Sequence, residues 1–99
     1  KAQNYIADHY GEDLTIQEIA KALFISPNYL GRIFREQTGY QLTDWINICR
    51  IDKAKELLSS TDIKTYEVAS AVGFSSYKYF SLCFLKYAGF SAREYRKSL

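Results

Sequence analysis

Residues 14–34 read LTIQEIAKALFISPNYLGRIF, and this stretch decides the fold. Its apolar residues recur at spacings of three and four, the pattern that predicts amphipathic α-helices. Thr15 and Glu18 match the capping box T-x-x-E, which predicts a helix that begins after Thr15. Ser26 followed by Pro27 predicts a second helix start, because proline lacks the N–H that a first helical turn leaves unpaired. The stretch therefore predicts two helices joined by a tight turn.

The rest of the chain shows the same helical spacing and hardly any period-two alternation, so we expect an all-α fold of seven helices. Glycines end several of them, because glycine adopts the left-handed turn that terminates helices. The predicted helices cover about 2–10, a segment from 15, a segment from 27 to just before Gly39, 42–58, 65–72, 77–87 and a last segment that opens with a second capping box, Ser91 and Glu94.

An internal repeat relates the two halves of the chain. A shift of 49 residues places Ala20 on Ala69, and a shift of 50 places Gly39 on Gly89. Each copy has a short helix with a small alanine, a tight turn, a capped helix and a Gly-aromatic exit, which is the helix-turn-helix pattern. The alternative is a generic helical bundle with accidental similarity. We interpret the chain as a single domain, 1–99, with a first helix-turn-helix at about 15–38, a linker helix at about 42–58 and a second helix-turn-helix at about 65–88.

Composition excludes several classes of protein. A chain of 99 residues with 47% hydrophobic and 24% charged residues is suited to one packed domain rather than to disorder. We find no apolar run long enough to span a membrane and no signal-peptide pattern at the start. Two cysteines and one histidine cannot supply the four ligands of a structural zinc site, so we expect no metal, no cofactor, reduced thiols and a cytoplasmic location. The lack of methionine suggests a piece of a longer protein.

Charge is uneven along the chain. Residues 1–49 carry four Lys or Arg against six Asp or Glu, whereas residues 50–99 carry nine against five. The net charge of +2 permits an acidic polymer such as nucleic acid as a partner without requiring one.

These motifs resemble the AraC-type DNA-binding domain, the paired helix-turn-helix of a large class of bacterial transcription regulators. The resemblance covers nearly the full chain, and the opening segment together with RIDKAK at 50–55 is most similar to output domains of two-component response regulators. It implies sequence-specific binding to double-stranded DNA, a missing N-terminal receiver or sensor domain, and contact with RNA polymerase as a further role. The residues that carry the resemblance are 14–20, 25–34, 50–58, 68–74, 79–80 and 89–91.

The resemblance also implies that the fourth helix holds two recognition helices in successive major grooves. Adjacent major grooves on one face of the duplex lie about 34 Å apart. The predicted linker helix is about 25 Å long, and with the width of its neighbours it can span that distance. One chain can therefore read an asymmetric site.

On the first recognition helix, the inward residues are expected to be Leu30, Ile33, Phe34 and Gln37, and the opposite stripe is Asn28, Gly31, Arg32 and Arg35. Arg32 stands where the family pattern carries an arginine and can grip guanine O6 and N7. Asn28 can contact adenine, with local capping as the alternative. Arg35 is expected at a phosphate, with a solvated surface charge as the alternative.

On the second recognition helix, the equivalent stripe is Lys78, Ser81, Leu82 and Leu85. Here the sequence departs from its family, because the usual Ser-Arg pair is Ser81-Leu82. One hypothesis is that Leu82 contacts thymine methyl groups while Lys78 and Ser81 hold a base edge or the backbone. The others are that this unit binds weakly, or that the leucines dock against a missing domain.

A larger set of residues is expected to contact the DNA backbone, with an ordinary solvated surface as the alternative for each. Besides Arg35, the set consists of Thr15, Tyr29, Arg50, Lys64, Tyr77, Tyr79, Ser91 and Arg93, with Lys53, Lys55, Arg96 and Lys97 as further basic candidates. The amide ends of the helices that Thr15, Thr65 and Ser91 are expected to cap can also bind phosphate oxygens.

Two other function classes compete with DNA binding. Catalysis is disfavoured, because His9 is the only histidine and no phosphate loop, nucleophile elbow or paired-carboxylate motif accompanies it. The stronger alternative is a helical protein-interaction module that keeps the fold with weakened DNA readout. A steep fall of affinity with salt is expected for DNA binding and not for a hydrophobic docking surface.

Overall fold

The computed structural model describes residues 2–12 and 14–99, and within them the chain forms seven α-helices and no β-strand. The all-α prediction is confirmed. The linker helix continues two residues past the predicted Leu58, and it contributes to both of two compact units that divide between Cys49 and Arg50. The helices are α1 (Ala2–His9), α2 (Ile16–Ala22), α3 (Pro27–Thr38), α4 (Leu42–Ser60), α5 (Thr65–Ala71), α6 (Tyr77–Ala88) and α7 (Ala92–Lys97).

Serine and threonine side chains cap four helix N-termini. Each accepts a hydrogen bond from the backbone N–H three residues ahead, at 3.1–3.2 Å, and so satisfies one of the donors that a helix start leaves unpaired. The capping residues are Thr15 for α2, Ser26 for α3, Ser76 for α6 and Ser91 for α7.

The prediction that Thr65 caps α5 is wrong. Lys64 is the N-cap residue, and its backbone N–H donates to the Glu67 carboxylate at 3.0 Å. Thr65 is the first helical residue, and its hydroxyl lies 2.9 Å from the Tyr77 hydroxyl at the start of α6. The shift of 49 residues relative to the first unit is kept, because Lys64 takes the position of Thr15 and Glu67 that of Glu18, but only the glutamate side chain makes a capping hydrogen bond shown for α5.

The first unit packs α1, α2, α3 and the start of α4 around one apolar core. Ile19 and Ala20 of α2 are at most 1% exposed, and Leu30 and Phe34 of α3 are at most 4% exposed. Gln37, which the periodicity places on the inward face, is exposed. The prediction fails there because α3 has twelve residues and α2 has seven, so the last turn of α3 extends beyond its partner.

The second unit packs α5, α6 and α7 against the second half of α4. Its centre is a chain of aromatic contacts in which Phe80 lies 5.3 Å from Phe74 and 5.7 Å from Phe84, and Phe84 lies 5.7 Å from Tyr95. These contacts add to ordinary burial because tilted aromatic pairs are favourable. The helical spacing predicts that Phe90 and its counterpart in the first unit, Tyr40, pack in the core, but they are 44% and 46% exposed. Phe90 keeps a contact with the ring of Tyr95.

Arg96 fastens α7 to the end of α4. Its guanidinium donates to the backbone carbonyls of Leu58, Thr61 and Ile63. The last carbonyls of a helix have no partner within the helix, and a charged donor near them also complements the helix dipole. Three of the five N–H donors of Arg96 are therefore used within the fold, which disfavours the prediction of Arg96 as a phosphate contact.

The two helix-turn-helix turns differ at one equivalent position. Gly73 adopts φ 102°, a conformation that suits glycine, whereas Phe24, its counterpart under the shift of 49, adopts φ 61°. Phe24 is also 94% exposed. The first turn therefore has a phenylalanine in the left-handed conformation, although its ring buries little apolar surface.

Candidate DNA-recognition surfaces

The outward face of α3 presents one amide and two guanidinium groups. Asn28, Arg32 and Arg35 are all exposed, and their spacing of four and then three places them in one row. Leu30 and Phe34 are buried on the opposite side of the same helix. Helical periodicity predicted the buried positions of Leu30 and Phe34 and the exposed row on the opposite side, because burial of an amphipathic helix follows its apolar stripe.

Arg32 has a partner that the sequence reasoning missed. Its guanidinium carbon lies 5.5 Å from the centre of the Tyr29 ring, within cation–π distance. Tyr29 is 45% exposed. The spacing of three residues on one helix is the signal that could have revealed this pair. The contact limits the rotamers open to Arg32 and keeps its charged end over the outward face.

Gly31 faces α2 rather than the open side of α3. A Cβ atom at this position would lie 3.5 Å from Cδ1 of Ile16, an ordinary van der Waals distance. The grouping of Gly31 with the outward stripe is therefore wrong. It lies at the border of that stripe, where α2 covers it.

The outward face of α6 is apolar where that of α3 is charged. Lys78 and Ser81 are exposed, and so are Leu82 at 59% and Leu85 at 52%. Phe80, Cys83 and Phe84 are the buried residues of this helix. The four predicted residues thus share one outward face, and at two of its positions leucine replaces the arginine of α3.

Two tyrosines border the start of α6. Tyr77 is 46% exposed and its hydroxyl contacts that of Thr65, while Tyr79 is 48% exposed and its ring lies 5.9 Å from Phe74. Both hydroxyl-bearing rings therefore lie at the surface beside the outward face of the helix, as contact with a sugar-phosphate backbone requires.

The other residues expected at the DNA backbone are three charged side chains and two hydroxyls that cap helices. Lys64 and Arg93 are exposed, although the Lys64 ammonium lies 5.9 Å from the Tyr66 ring. Arg50 is half-buried with its guanidinium carbon 5.6 Å from the Phe74 ring centre. The Thr15 and Ser91 hydroxyls accept the capping hydrogen bonds of α2 and α7, and the Thr15 hydroxyl also donates to the Glu18 carboxylate at 3.2 Å.

The capping box of α7 affects one titration. The Ser91 backbone N–H donates to the Glu94 carboxylate at 3.0 Å, and this bond, with help from the Ser91 side chain and Lys97, lowers the pKa of Glu94 below its ordinary value of 4.5. The carboxylate therefore favours its charged form when α7 is folded.

Over residues 2–12 and 14–99, no group of three or more His, Cys, Asp or Glu side chains could hold a metal ion. In the same part of the chain, no helix is both long enough and apolar enough to cross a membrane.

Known proteins similar to this chain include helix-turn-helix domains and transcription regulators. A family model described as a helix-turn-helix domain matches residues 19–98. Among solved structures, the C-terminal domain of AraT, a response regulator from Geobacillus stearothermophilus, superimposes with a TM-score of 0.94 at 36% identity and covers 99% of this chain and 82% of that one. The chain belongs to the AraC-type helix-turn-helix family. This AraC-type domain is a sequence-specific DNA-binding domain of the kind found in bacterial transcription regulators.

Two further relatives bear on how such a domain is used. The uncharacterized HTH-type transcriptional regulator YijO of Escherichia coli K12 is 38% identical over 95 residues, which are 96% of this chain and 34% of that protein. The DNA-binding domain of AdpA, solved in complex with a target DNA, has a TM-score of 0.92 at 27% identity and covers 98% of this chain and 87% of that one. The AraC-type chain spans about a third of the length of the curated relatives it matches.

Proposed function

We propose that residues 1–99 act as a single domain in which α3 and α6 are recognition helices, each of which enters a major groove of one duplex. The observation that carries the proposal is the outward face of α3, where Arg32 is exposed and held beside Tyr29. A major groove admits one helix, and its base edges present the acceptors that such donors can read.

Within α3 the three outward residues take different tasks. Arg32 donates both ends of its guanidinium to guanine O6 and N7, a bidentate pairing that lysine cannot reproduce. Asn28 pairs with adenine N6 and N7 near the start of the helix. Arg35 lies three residues beyond Arg32 and neutralises a phosphate, which positions the helix without reading sequence.

The second unit completes the footprint through α6. Lys78, Ser81 and Leu82 face the bases, and the two tyrosines at the start of the helix face the backbone. The remaining backbone contacts come from charged side chains, from the Tyr29 hydroxyl and from capped helix starts, where backbone N–H groups favour anions. These residues are Thr15, Tyr29, Arg50, Lys64, Ser91 and Arg93.

The domain serves a longer, cytoplasmic bacterial regulator in which an N-terminal receiver or sensor domain controls DNA binding. Two observations support this proposal. The chain spans about a third of the length of its curated relatives, and it resembles the C-terminal domain of the response regulator AraT. Contact with RNA polymerase is a further role of such a regulator, and catalysis is not part of it.

The test is selection of bound duplexes from a random library, followed by affinity measurements on the winner at several salt concentrations. We expect an enriched asymmetric site and a log–log slope of several phosphates, each of which contributes about 0.9. Arg32→Ala should abolish the preference for guanine at one position, whereas Lys21→Ala, which removes an exposed charge outside the proposed contacts, should not.

A protein-interaction module with weakened DNA readout is the competing function, and the exposure of Leu82 and Leu85 is the observation that favours it. The salt series separates the two. Affinity for DNA that is weak and hardly enriched in any sequence would favour the interaction module, because hydrophobic docking needs neither phosphates nor base edges.

A further inference from the structure

The internal repeat allows the two recognition faces to be compared position by position. Under the shift of 50 residues, the outward positions of α3 and α6 correspond one to one, and both arginines of the first face become leucines in the second. The corresponding outward pairs are Asn28 and Lys78, Arg32 and Leu82, and Arg35 and Leu85, while Ser81 corresponds to Gly31 at the border of the first face.

The two leucines do not serve the core of the second unit. The buried residues of α6 are Phe80, Cys83 and Phe84, whereas Leu82 is 59% exposed and Leu85 is 52% exposed. Their spacing of three residues places them side by side on the helix surface. Together they form an apolar pair at the centre of a face that the fold devotes to recognition.

The chemistry of the major groove determines what such a pair can read. Three of the four bases present only hydrogen-bond donors and acceptors there, and thymine alone adds a methyl group at C5. A leucine pressed against a donor or acceptor removes its water without replacing the hydrogen bond, which is unfavourable, whereas leucine against methyl buries apolar surface. An apolar pair therefore selects thymine and penalises the other bases.

Charge on the same part of the surface favours DNA over a protein as the partner. Lys78 lies one turn before Leu82 on the same face, and the exposed rings of Tyr77 and Tyr79 carry hydroxyls beside it. The tyrosine hydroxyls at the edge of the apolar pair are suited to phosphates that flank a methyl-bearing groove, and the ammonium group is suited to acceptors on the base edges beside it.

We infer that Leu82 and Leu85 read thymine methyl groups, so that the half of the binding site facing α6 is specified by thymine rather than by guanine. The inference rests on the proposed function and assigns Leu85 a role that the sequence reasoning left open. It makes the two halves of the site chemically different, one read through hydrogen bonds and one through apolar contact.

The experiment replaces thymine by uracil, which pairs identically but lacks the C5 methyl. With the duplex selected from the random library, each thymine in the half facing α6 is replaced in turn, and the Kd is measured by fluorescence anisotropy. We expect about fourfold weaker binding for each methyl that the leucines contact. For the doubly substituted Leu82→Ala, Leu85→Ala protein, we expect weaker binding that no longer distinguishes thymine from uracil, because the two changes remove the same contact.

Two controls separate this inference from the proposed function. Leu99→Ala removes a leucine that is 65% exposed and lies outside the recognition faces, so it should leave the uracil penalty unchanged. Arg32→Ala should weaken binding and also leave that penalty unchanged. Circular dichroism checks that each variant folds.

Some results would overturn the inference alone, and one would overturn the proposed function as well. A half-site without thymine, no penalty from uracil, or a penalty that persists in the double alanine variant would overturn the inference while the proposed function stands. A double alanine variant with unchanged DNA affinity would do the same and would favour a docking role for the leucines. A library in which no duplex is enriched would overturn both.

Discussion

The outward faces of α3 and α6 are built on the same backbone plan but carry opposite chemistry. Both helices begin at a serine N-cap, have twelve residues and end at a left-handed glycine. One face presents Arg32 and Arg35, and the other presents Leu82 and Leu85. The repeated features belong to folding, and the differing ones lie on the face that we propose for recognition, so the two tasks would use separate faces of each helix.

The largest expected effect comes from Arg32→Ala. Loss of a bidentate guanine contact should weaken binding by about 2 kcal/mol, or roughly 30-fold, and relax selection at that base pair. Arg32→Lys should recover the charge but little of the guanine preference, because lysine lacks the planar fork. The measurement is the Kd on the selected duplex and on its guanine variants. If wild type and Arg32→Ala bound the selected duplex with equal Kd values, Arg32 would not read guanine and the proposed difference between the two faces would be wrong.

Leu82→Arg would make the second face resemble the first. We expect a new guanine preference of about tenfold in the half-site facing α6, with lower preference for thymine, since the arginine gains guanine O6 and N7 as acceptors. A second library selection with the variant measures this change. An unchanged site preference would show that position 82 does not face bases.

Phe24→Gly would make the first turn resemble the second. Phenylalanine in the left-handed region is strained by about 1 kcal/mol, and the side chain is 94% exposed, so little burial is lost. We expect the free energy of unfolding in urea to rise by less than that amount, because glycine also gains entropy in the unfolded chain. The reciprocal change, Gly73→Ala, should destabilise the protein. A loss of stability in Phe24→Gly would mean that the exposed ring contributes contacts of its own.

The smallest effect concerns the Glu94 capping box. Its pKa is lowered in the folded state, so its contribution to stability is complete above the ordinary value of 4.5 and is lost as pH falls through the folded pKa. Unfolding curves of wild type and Glu94→Gln should therefore differ above that range and converge in acid. A difference that persists unchanged in acid would show that charge on Glu94 is not involved.

The sequence predicted local structure best. The caps at Thr15, Ser26 and Ser91 and the left-handed glycines at the ends of α3 and α6 all lie within four residues of the atoms they serve. The failure at Thr65 is also local, since the Lys64 backbone N–H donates to the Glu67 carboxylate and α5 begins at Thr65 itself rather than after it.

The recognition faces could be predicted to a similar degree. Helical periodicity placed Arg32 and Leu82 outward, because a helix buries whichever stripe is apolar on average. It misplaced Gly31 and Gln37, which lie at the border of a stripe where only the length and position of a neighbouring helix decide burial. The Arg32–Tyr29 contact was not predicted, although residues three apart on a helix are neighbours and the sequence spacing therefore allows it.

Sequence alone thus determined where helices begin and end, which side of α3 and α6 faces outward and which family the chain resembles. Only the tertiary structure decided that Arg96 donates to three carbonyls 33–38 residues away, and that Phe24 is exposed where its counterpart is a glycine. The physical reason is range. Capping and periodicity act within a few residues, whereas the partners of a long side chain depend on which distant segments the packed core brings beside it.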